Sequence, residues 1–255
     1  VVGPLRDDGK HELVTVLQRI DLHDDVELEA ADELAVDGFE AETIVRDALT
    51  ALAAVAGVVP RWRVRIEKRI PVAAGLGGGS ADGAAALRLA NATLPDPLPL
   101  DELHRIAAGV GADVPFFLRE GAQLATGHGT DLTSIPLPTG YHIVLLVPSG
   151  QSKPSTGAVY DAFDARAGAD GFEAREQAFR DALLTISSRR DLAALPGNDL
   201  ATSPFAADLL SAGAFRADVS GAGPTVYGLF EDADTAVAAA EVLGTKGRTF
   251  VTRPL

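Results

Sequence analysis

Cysteine and methionine are both missing from this chain, and aromatic residues are scarce: one tryptophan, three tyrosines and ten phenylalanines among 255 residues. Without cysteine there are no disulfides, no thiolate metal sites and no thiol nucleophile, a pattern that fits a cytoplasmic protein. Basic residues are also in short supply. Lys and Arg number 22 against 36 Asp and Glu, a net charge of −14. That balance excludes sequence-independent binding to nucleic acid phosphates as the main function. No stretch approaches the roughly eighteen uninterrupted apolar residues of a membrane-spanning helix, and no basic-then-apolar leader opens the chain. Neither membrane insertion nor secretion is expected. The chain opens on Val1-Val2-Gly3 with no initiator methionine, so its start reads as processed, trimmed or misassigned. His23, His104, His128 and His142 are scattered with no ligand spacing, and no metal site is expected of them. Internal repeats, heptad runs and low-complexity tails are absent as well.

What is present is enough apolar residue, 47% of the chain, to build a core, at a length that suits one large domain or two small ones. One stretch organises the rest: Pro71-Val72-Ala73-Ala74-Gly75-Leu76-Gly77-Gly78-Gly79-Ser80-Ala81-Asp82-Gly83. Before it, Trp62 to Ile70 alternates apolar and charged residues as a half-buried strand does. After it, Ala84 to Ala90 is a run of strong helix formers. Glycines let a backbone approach a phosphate closely, and the free N–H groups at a helix start point at it. The order strand, glycines, helix therefore makes an anion site, with a plain turn as the alternative. No Gly-Lys-Ser/Thr follows to make a nucleotide triphosphatase P-loop, and Gly75-x-Gly77-x-Gly79 lacks the GxGxxG spacing.

Taken in order, residues 1–30 read as strand, turn and strand around Arg6-Asp7-Asp8-Gly9-Lys10. Ala41 to Ala56 reads as a helix with Ile44, Ala48, Leu49, Leu52 and Val55 on one stripe. A short helix is expected from Asp101, near its N-cap, to Gly109. Gly111-Ala112-Asp113-Val114-Pro115-Phe116 sets a carboxylate between a helix end and an apolar run, which places it near the interior. A hairpin is expected over Gly121 to Leu137 and an apolar strand over Tyr141 to Val147, with a domain boundary just before it, near residue 139. Asp161 to Leu195 reads as helix broken around Gly168 and Gly171, and Asp199 to Gly213 as another helix. Val219-Ser220-Gly221-Ala222-Gly223-Pro224 is a second glycine turn before a strand at Thr225 to Phe230. A helix over Ala233 to Leu243 and a strand over Thr249 to Thr252 close the chain.

Three of these segments, Pro71 to Asp82, Gly111 to Phe116 and Val219 to Pro224, resemble in order and spacing the motifs of the GHMP small-molecule kinases. The likeness runs through nearly the whole chain from Gly3, and Asp8-Gly9-x-His11-Glu12-Leu13 adds to it. It is most similar to the branch that phosphorylates a cytidine diphosphate-linked polyol of isoprenoid biosynthesis. The resemblance implies an α/β (α+β) fold of two domains, 1–138 and 139–255, with ATP and substrate in the cleft between them. It also implies ATP with Mg²⁺ as cofactor and a small-molecule alcohol as partner, while leaving the oligomeric state open.

On that resemblance, Gly77, Gly78, Gly79 and Ser80 cradle the ATP phosphates, the Ser80 hydroxyl adding a donor, with Pro71, Gly75, Leu76 and Ala81 framing the loop. Asp113 accepts the proton of the attacking hydroxyl and orients it; the alternative is a capping or salt-bridged aspartate. Lys68 lies near the adenine or ribose, unless it is merely a solvated strand-end lysine. His11 bonds the cytosine edge and Tyr160 covers a cytosine face; a surface histidine and a core tyrosine are the alternatives. Thr156 touches the substrate diphosphate, and Gly221, Ala222 and Gly223 close around the phosphates. Asp82 reads as a local helix cap. Two departures stand out. The family's opening strand, Ala-Lys-x-Asn-Leu, whose lysine pairs with the catalytic aspartate, precedes the residues that Val1 onward match; either the recorded start omits it or, if it is truly absent, Lys10, Lys153 or an arginine would have to supply that charge. Lys10 also stands where the branch carries a tyrosine that stacks on cytosine.

Overall fold

A computed structural model of the chain describes residues 1–38, 43–150 and 155–255. Packing divides these into two compact units that interleave along the sequence. One holds Val1–Asp21, Ala73–Leu76 and Gly121–Leu255; the other holds Leu22–Val72 and Gly77–Glu120.

The first unit begins with strands β1 (Val2–Leu5), β2 (His11–Leu13) and β3 (Thr15–Leu17). β1 and β2 pair antiparallel across the Asp-Gly turn, where Gly9 takes φ 76 and the Asp8 carboxylate accepts the Lys10 N–H at 3.0 Å. That is the Asx-type turn chemistry the sequence signals.

The second unit contains β4 (Asp25–Ala30), β5 (Ala35–Asp37), α1 (Thr43–Ala56), β6 (Trp62–Glu67), α2 (Gly78–Ala92), α3 (Leu100–Val110) and the one-turn helix α4 (Val114–Phe117). β6 is central, antiparallel to β4 and parallel to β5. Its strict alternation buries Trp62, Val64 and Ile66 and exposes the charges between them, as period-2 patterning requires. Trp62 also donates its indole N–H to Thr93 Oγ1 at 3.0 Å. Helix α1 turns a different stripe inward from the one expected. Val45, Ala48, Leu49, Leu52 and Ala53 are buried and Val55 is exposed, since the first set follows i, i+3, i+4, i+7, i+8 without a break. The expected first residue of that helix, Ala41, lies outside the described residues. Helix α3 starts one turn-position earlier than expected, with Pro99 as N-cap and Asp101 in the first turn, where its charge favours the helix dipole. Leu87, Leu103, Val114 and Leu118 from the helices close over the sheet in one core.

The rest of the first unit follows: β7 (Ala122–Thr126), β8 (Asp131–Ile135), β9 (His142–Pro148), α5 (Thr156–Ala165), α6 (Phe172–Thr185), a 3-10 turn at Arg189–Ala194, α7 (Pro204–Ser211), β10 (Arg216–Val219), β11 (Val226–Phe230), α8 (Ala233–Leu243) and β12 (Gly247–Thr252). β3, β7 and β8 form one antiparallel sheet, and β10, β11, β9 and β12 form another in that order. Val144, Val226 and Phe230 of the second sheet pack with Leu209 of α7 and Ala236 and Leu243 of α8. Because β7 and β8 pair with β3, residues 121–138 share a unit with the later chain, so the packing units do not follow a sequential boundary near residue 139. Helix α7 starts later than expected, at Pro204, with the Ser203 hydroxyl accepting the Phe205 N–H. Among the described residues no helix is long and apolar enough to cross a membrane.

Candidate active site

The first glycine turn is tied to the second within one unit. Ser220 donates its hydroxyl to the Gly75 carbonyl at 2.9 Å, and the Thr225 N–H reaches the Ala74 carbonyl at 3.2 Å. Gly75 sits at φ 77, and a Cβ there would lie 2.5 Å from the Gly223 carbonyl oxygen and 2.9 Å from that of Ser220. Gly221 and Gly223 take φ 55 and 74, and the Gly223–Pro224 bond is cis. Asn198 fastens this second turn from behind. Its amide donates to the Val219 carbonyl at 2.9 Å and the Gly221 carbonyl at 2.7 Å, while its Oδ1 accepts the Leu200 N–H at 2.7 Å. That use of residues 198–201 explains the late start of α7. Asn198 falls between the two helices expected over Asp161 to Leu195 and Asp199 to Gly213, and no motif marked it.

A Gly75→Ala substitution is therefore expected to cost about 2–3 kcal/mol, from left-handed strain plus a clash in which backbone meets backbone. Gly57→Ala is the control. Its φ is 66, but a Cβ there would meet nothing within 4 Å, so strain alone acts and the loss should be about 1 kcal/mol. Urea unfolding of both variants measures the difference.

The second unit supplies the helix start. Gly77 is the N-cap of α2 in the left-handed conformation, φ 69, ψ 16, with no side chain capping the helix. The amides of the first turn, at Gly78, Gly79 and Ser80, belong to the donors that a helix leaves without internal partners. Ala81 is the first to turn inward, donating to the Gly77 carbonyl at 2.9 Å. An uncapped helix start behind a left-handed glycine fits a phosphate group. A Cβ on Gly77 would come within 3.0 Å of the Phe117 ring, and one on Gly78 within 3.0 Å of Ile70. Phe117 belongs to α4, which packs against α2 and has Asp113 at its N-cap position. Asp113 itself is exposed; Val114, Pro115 and Phe116 take the interior positions expected of it. Its side chain makes no capping bond to α4, which removes the capping alternative.

Lys68 is not a solvated strand end. Its ammonium lies 2.6 Å from Asp24 Oδ2 and 2.6 Å from Asp82 Oδ2, with both carboxylates 1% exposed. Asp82, expected to cap α2 locally, instead reaches back to this lysine. Burial pushes the Asp82 carboxyl up to about 6 against the pull of Lys68. Asp24 is buried too, yet Lys68 and the Ile70 and Arg69 amides outweigh that and hold it below the usual carboxylate range. The asymmetry is physical, because only Asp24 accepts backbone N–H groups, Ile70 at 2.8 Å and Arg69 beside it. The Lys68 ammonium is disfavoured by burial but ends above its ordinary value through the two carboxylates.

His11 and Tyr160 are brought together in the first unit. Their rings stack with centroids 4.8 Å apart at 27°, and Phe163 meets His11 edge-on at 5.8 Å. His11 is buried, and its Nε2 lies 2.8 Å from Asp164 Oδ1, so it is no surface histidine. Thr156 is exposed at the first position of α5, behind the Ser155 cap. Lys10 is exposed at the hairpin turn, and Lys153 lies outside the described residues.

Two family models match the chain. That for the GHMP kinases N terminal domain covers residues 43–121 and that for the GHMP kinases C terminal covers 205–249. The chain belongs to the GHMP kinase family. Among its relatives, the 4-diphosphocytidyl-2-C-methyl-D-erythritol kinase of Salinispora tropica is 41% identical, over 88% of this chain and 77% of that one. The enzyme of the same name from Streptomyces avermitilis is 38% identical, over 96% of this chain and 89% of the relative. A crystal structure of 4-(cytidine 5'-diphospho)-2C-methyl-D-erythritol kinase superposes with a TM-score of 0.80 at 29% identity, covering 99% of this chain and 94% of that one.

Proposed function

We propose that this chain is an ATP-dependent kinase for the 2-hydroxyl of 4-diphosphocytidyl-2-C-methyl-D-erythritol, acting in the cytoplasm in non-mevalonate isoprenoid biosynthesis. The observation that carries the phosphoryl-transfer reading is the uncapped start of α2 behind left-handed Gly77. The choice of substrate is supported by the names of the relatives at 38–41% identity.

In this reading ATP supplies the γ-phosphoryl group when bound. The amides of Gly78, Gly79 and Ser80 and the Ser80 hydroxyl hold its phosphates, with Pro71, Gly75, Leu76 and Ala81 setting the loop and Lys68 beside it. Asp113 accepts the proton of the substrate hydroxyl and orients that oxygen. Gly221, Ala222 and Gly223 act on the substrate side, as do His11, Tyr160 and Thr156. Mg²⁺ arrives with the nucleotide, held mainly by phosphate oxygens and water. Little covalent chemistry falls to the protein, so rate comes from positioning and from charge stabilisation in place.

The test is ADP release, by coupled assay, with the cytidine substrate beside homoserine, mevalonate and galactose. Turnover of the cytidine substrate above the others is expected. Turnover confined to another alcohol would move the assignment to that alcohol, the outcome Lys10 at the base-stacking position would then explain. Nucleotide binding with no turnover of any alcohol would overturn the kinase reading.

A further inference from the structure

The cluster of Asp24, Lys68 and Asp82 holds two buried carboxylates that the reaction as described leaves unused. One ammonium faces two carboxylates at 2.6 Å each, so with all three ionised the cluster carries a surplus negative charge. That charge lies at the amino end of α2: Asp82 is in its second turn, and a Cβ on Gly78 would stand 3.4 Å from Lys68 Nζ. Asp24 also takes the Arg69 and Ile70 amides, fixing the backbone just before Pro71. The charged groups facing Asp82 are Lys68 and Asp24; α1 brings only apolar Ile44 against the adjacent Gly83.

A buried negative charge here opposes an incoming phosphate, and Coulomb interactions at this range in a poorly solvated site are strong. Two responses relieve it together. A proton from solvent settles on an Asp82 oxygen, and the Lys68 ammonium, no longer shared between two anions, turns its field on the phosphate. We propose that Asp82 is a positioning residue that holds Lys68 at the Gly78 end of α2 and takes up one proton when a nucleotide phosphate binds there. The inference rests on the phosphate-binding reading of that helix start. The raised titration of Asp82, near 6 in the free protein, agrees with it, because a nearby phosphate would raise it further, into the neutral range.

The experiment is calorimetric titration of the full chain with ADP and Mg²⁺ in pairs of buffers with different ionisation heats, for the unaltered protein and for Asp82→Asn. Protons released or taken by ADP itself are common to both proteins and cancel in the difference. The unaltered protein should take up close to one more proton than Asp82→Asn. Its ADP affinity should also fall more steeply with rising pH, by up to about tenfold per pH unit where the proton is fully linked. Asp82→Asn keeps an acceptor oxygen for Lys68 and should still bind. Equal proton counts in the two proteins would overturn the inference and leave the phosphate site standing. Absence of ADP binding by the unaltered protein at every pH would instead overturn the phosphate site. If Asp82→Asn does not fold, Asp82→Ser serves as the reference. The unaltered protein then also decides alone: a proton count no greater than free ADP would give overturns the inference.

Discussion

Asp113→Asn is expected to lower kcat by about 10²–10⁴-fold, the range that loss of a positioned general base produces, while KM for ATP stays close to its original value. Asparagine keeps the shape of the carboxylate but cannot accept the hydroxyl proton. The residue opens α4 without capping it and is exposed, while its neighbours Val114, Pro115 and Phe116 do the packing. The exchange is isosteric at an exposed position, so packing is kept and any change in folding stability reports the contacts of the lost charge. Steady-state kinetics beside urea unfolding separates the two effects. A loss of kcat with no loss of stability supports the base; an unchanged kcat would remove Asp113 from the chemistry.

Lys68→Met should have the largest effect on folding, about 3–5 kcal/mol near neutral pH, the usual result of removing one partner from a buried ion pair. Asp24 and Asp82 would then face one another with no cation between them. The cost depends on pH in a definite direction. In the unaltered protein the folded value for Asp82, about 6, lies above its ordinary value of 3.8. Between those values the folded state holds more protons than the unfolded state, so the stability from Asp82 is complete at low pH and is lost as pH rises through 6. Asp24, shifted down, acts oppositely, with stability present above its ordinary value and lost as pH falls through its folded value. Lys68→Met should therefore hurt less near pH 5, where Asp82 takes a proton, than near pH 7.5. Denaturant midpoints at both pH values measure this, and equal losses would show that the carboxylates are not what the lysine serves.

The parts of the fold legible in the sequence are those written in local periodicity. The alternation through Trp62, Val64 and Ile66 specified a half-buried strand, and the unbroken apolar run into β9 specified a buried one. The glycine loop running into helix formers gave the start of α2. What was not legible depends on residues far apart in the chain. Lys68 meets carboxylates 44 and 14 positions away, and Asp82 read as a cap because its own neighbourhood offered nothing else. For His11 the motif suggested a substrate contact with a surface position as the alternative, and nothing local foretold its pairing with Asp164, 153 positions on. Three-residue β5 is too short to carry a period and is defined by its parallel pairing with β6. Asn198 acts through backbone carbonyls of another turn, which no pattern of side-chain types records. For Asp113, the motif located the residue, but the apolar run beside it misled about burial, since in a one-turn helix the interior positions begin after the N-cap.

The uneven placing of aromatic residues has a practical consequence. The sole tryptophan, Trp62, lies buried in the unit that carries α2 and Asp113, while Tyr141, Tyr160 and Tyr227 all belong to the other unit. Intrinsic fluorescence thus divides along the same line as the packing. Selective excitation of the indole follows the unit of the Lys68 cluster alone, and tyrosine emission follows the unit where the two glycine turns meet. Unfolding one unit before the other would appear as two displaced transitions in the unlabelled protein.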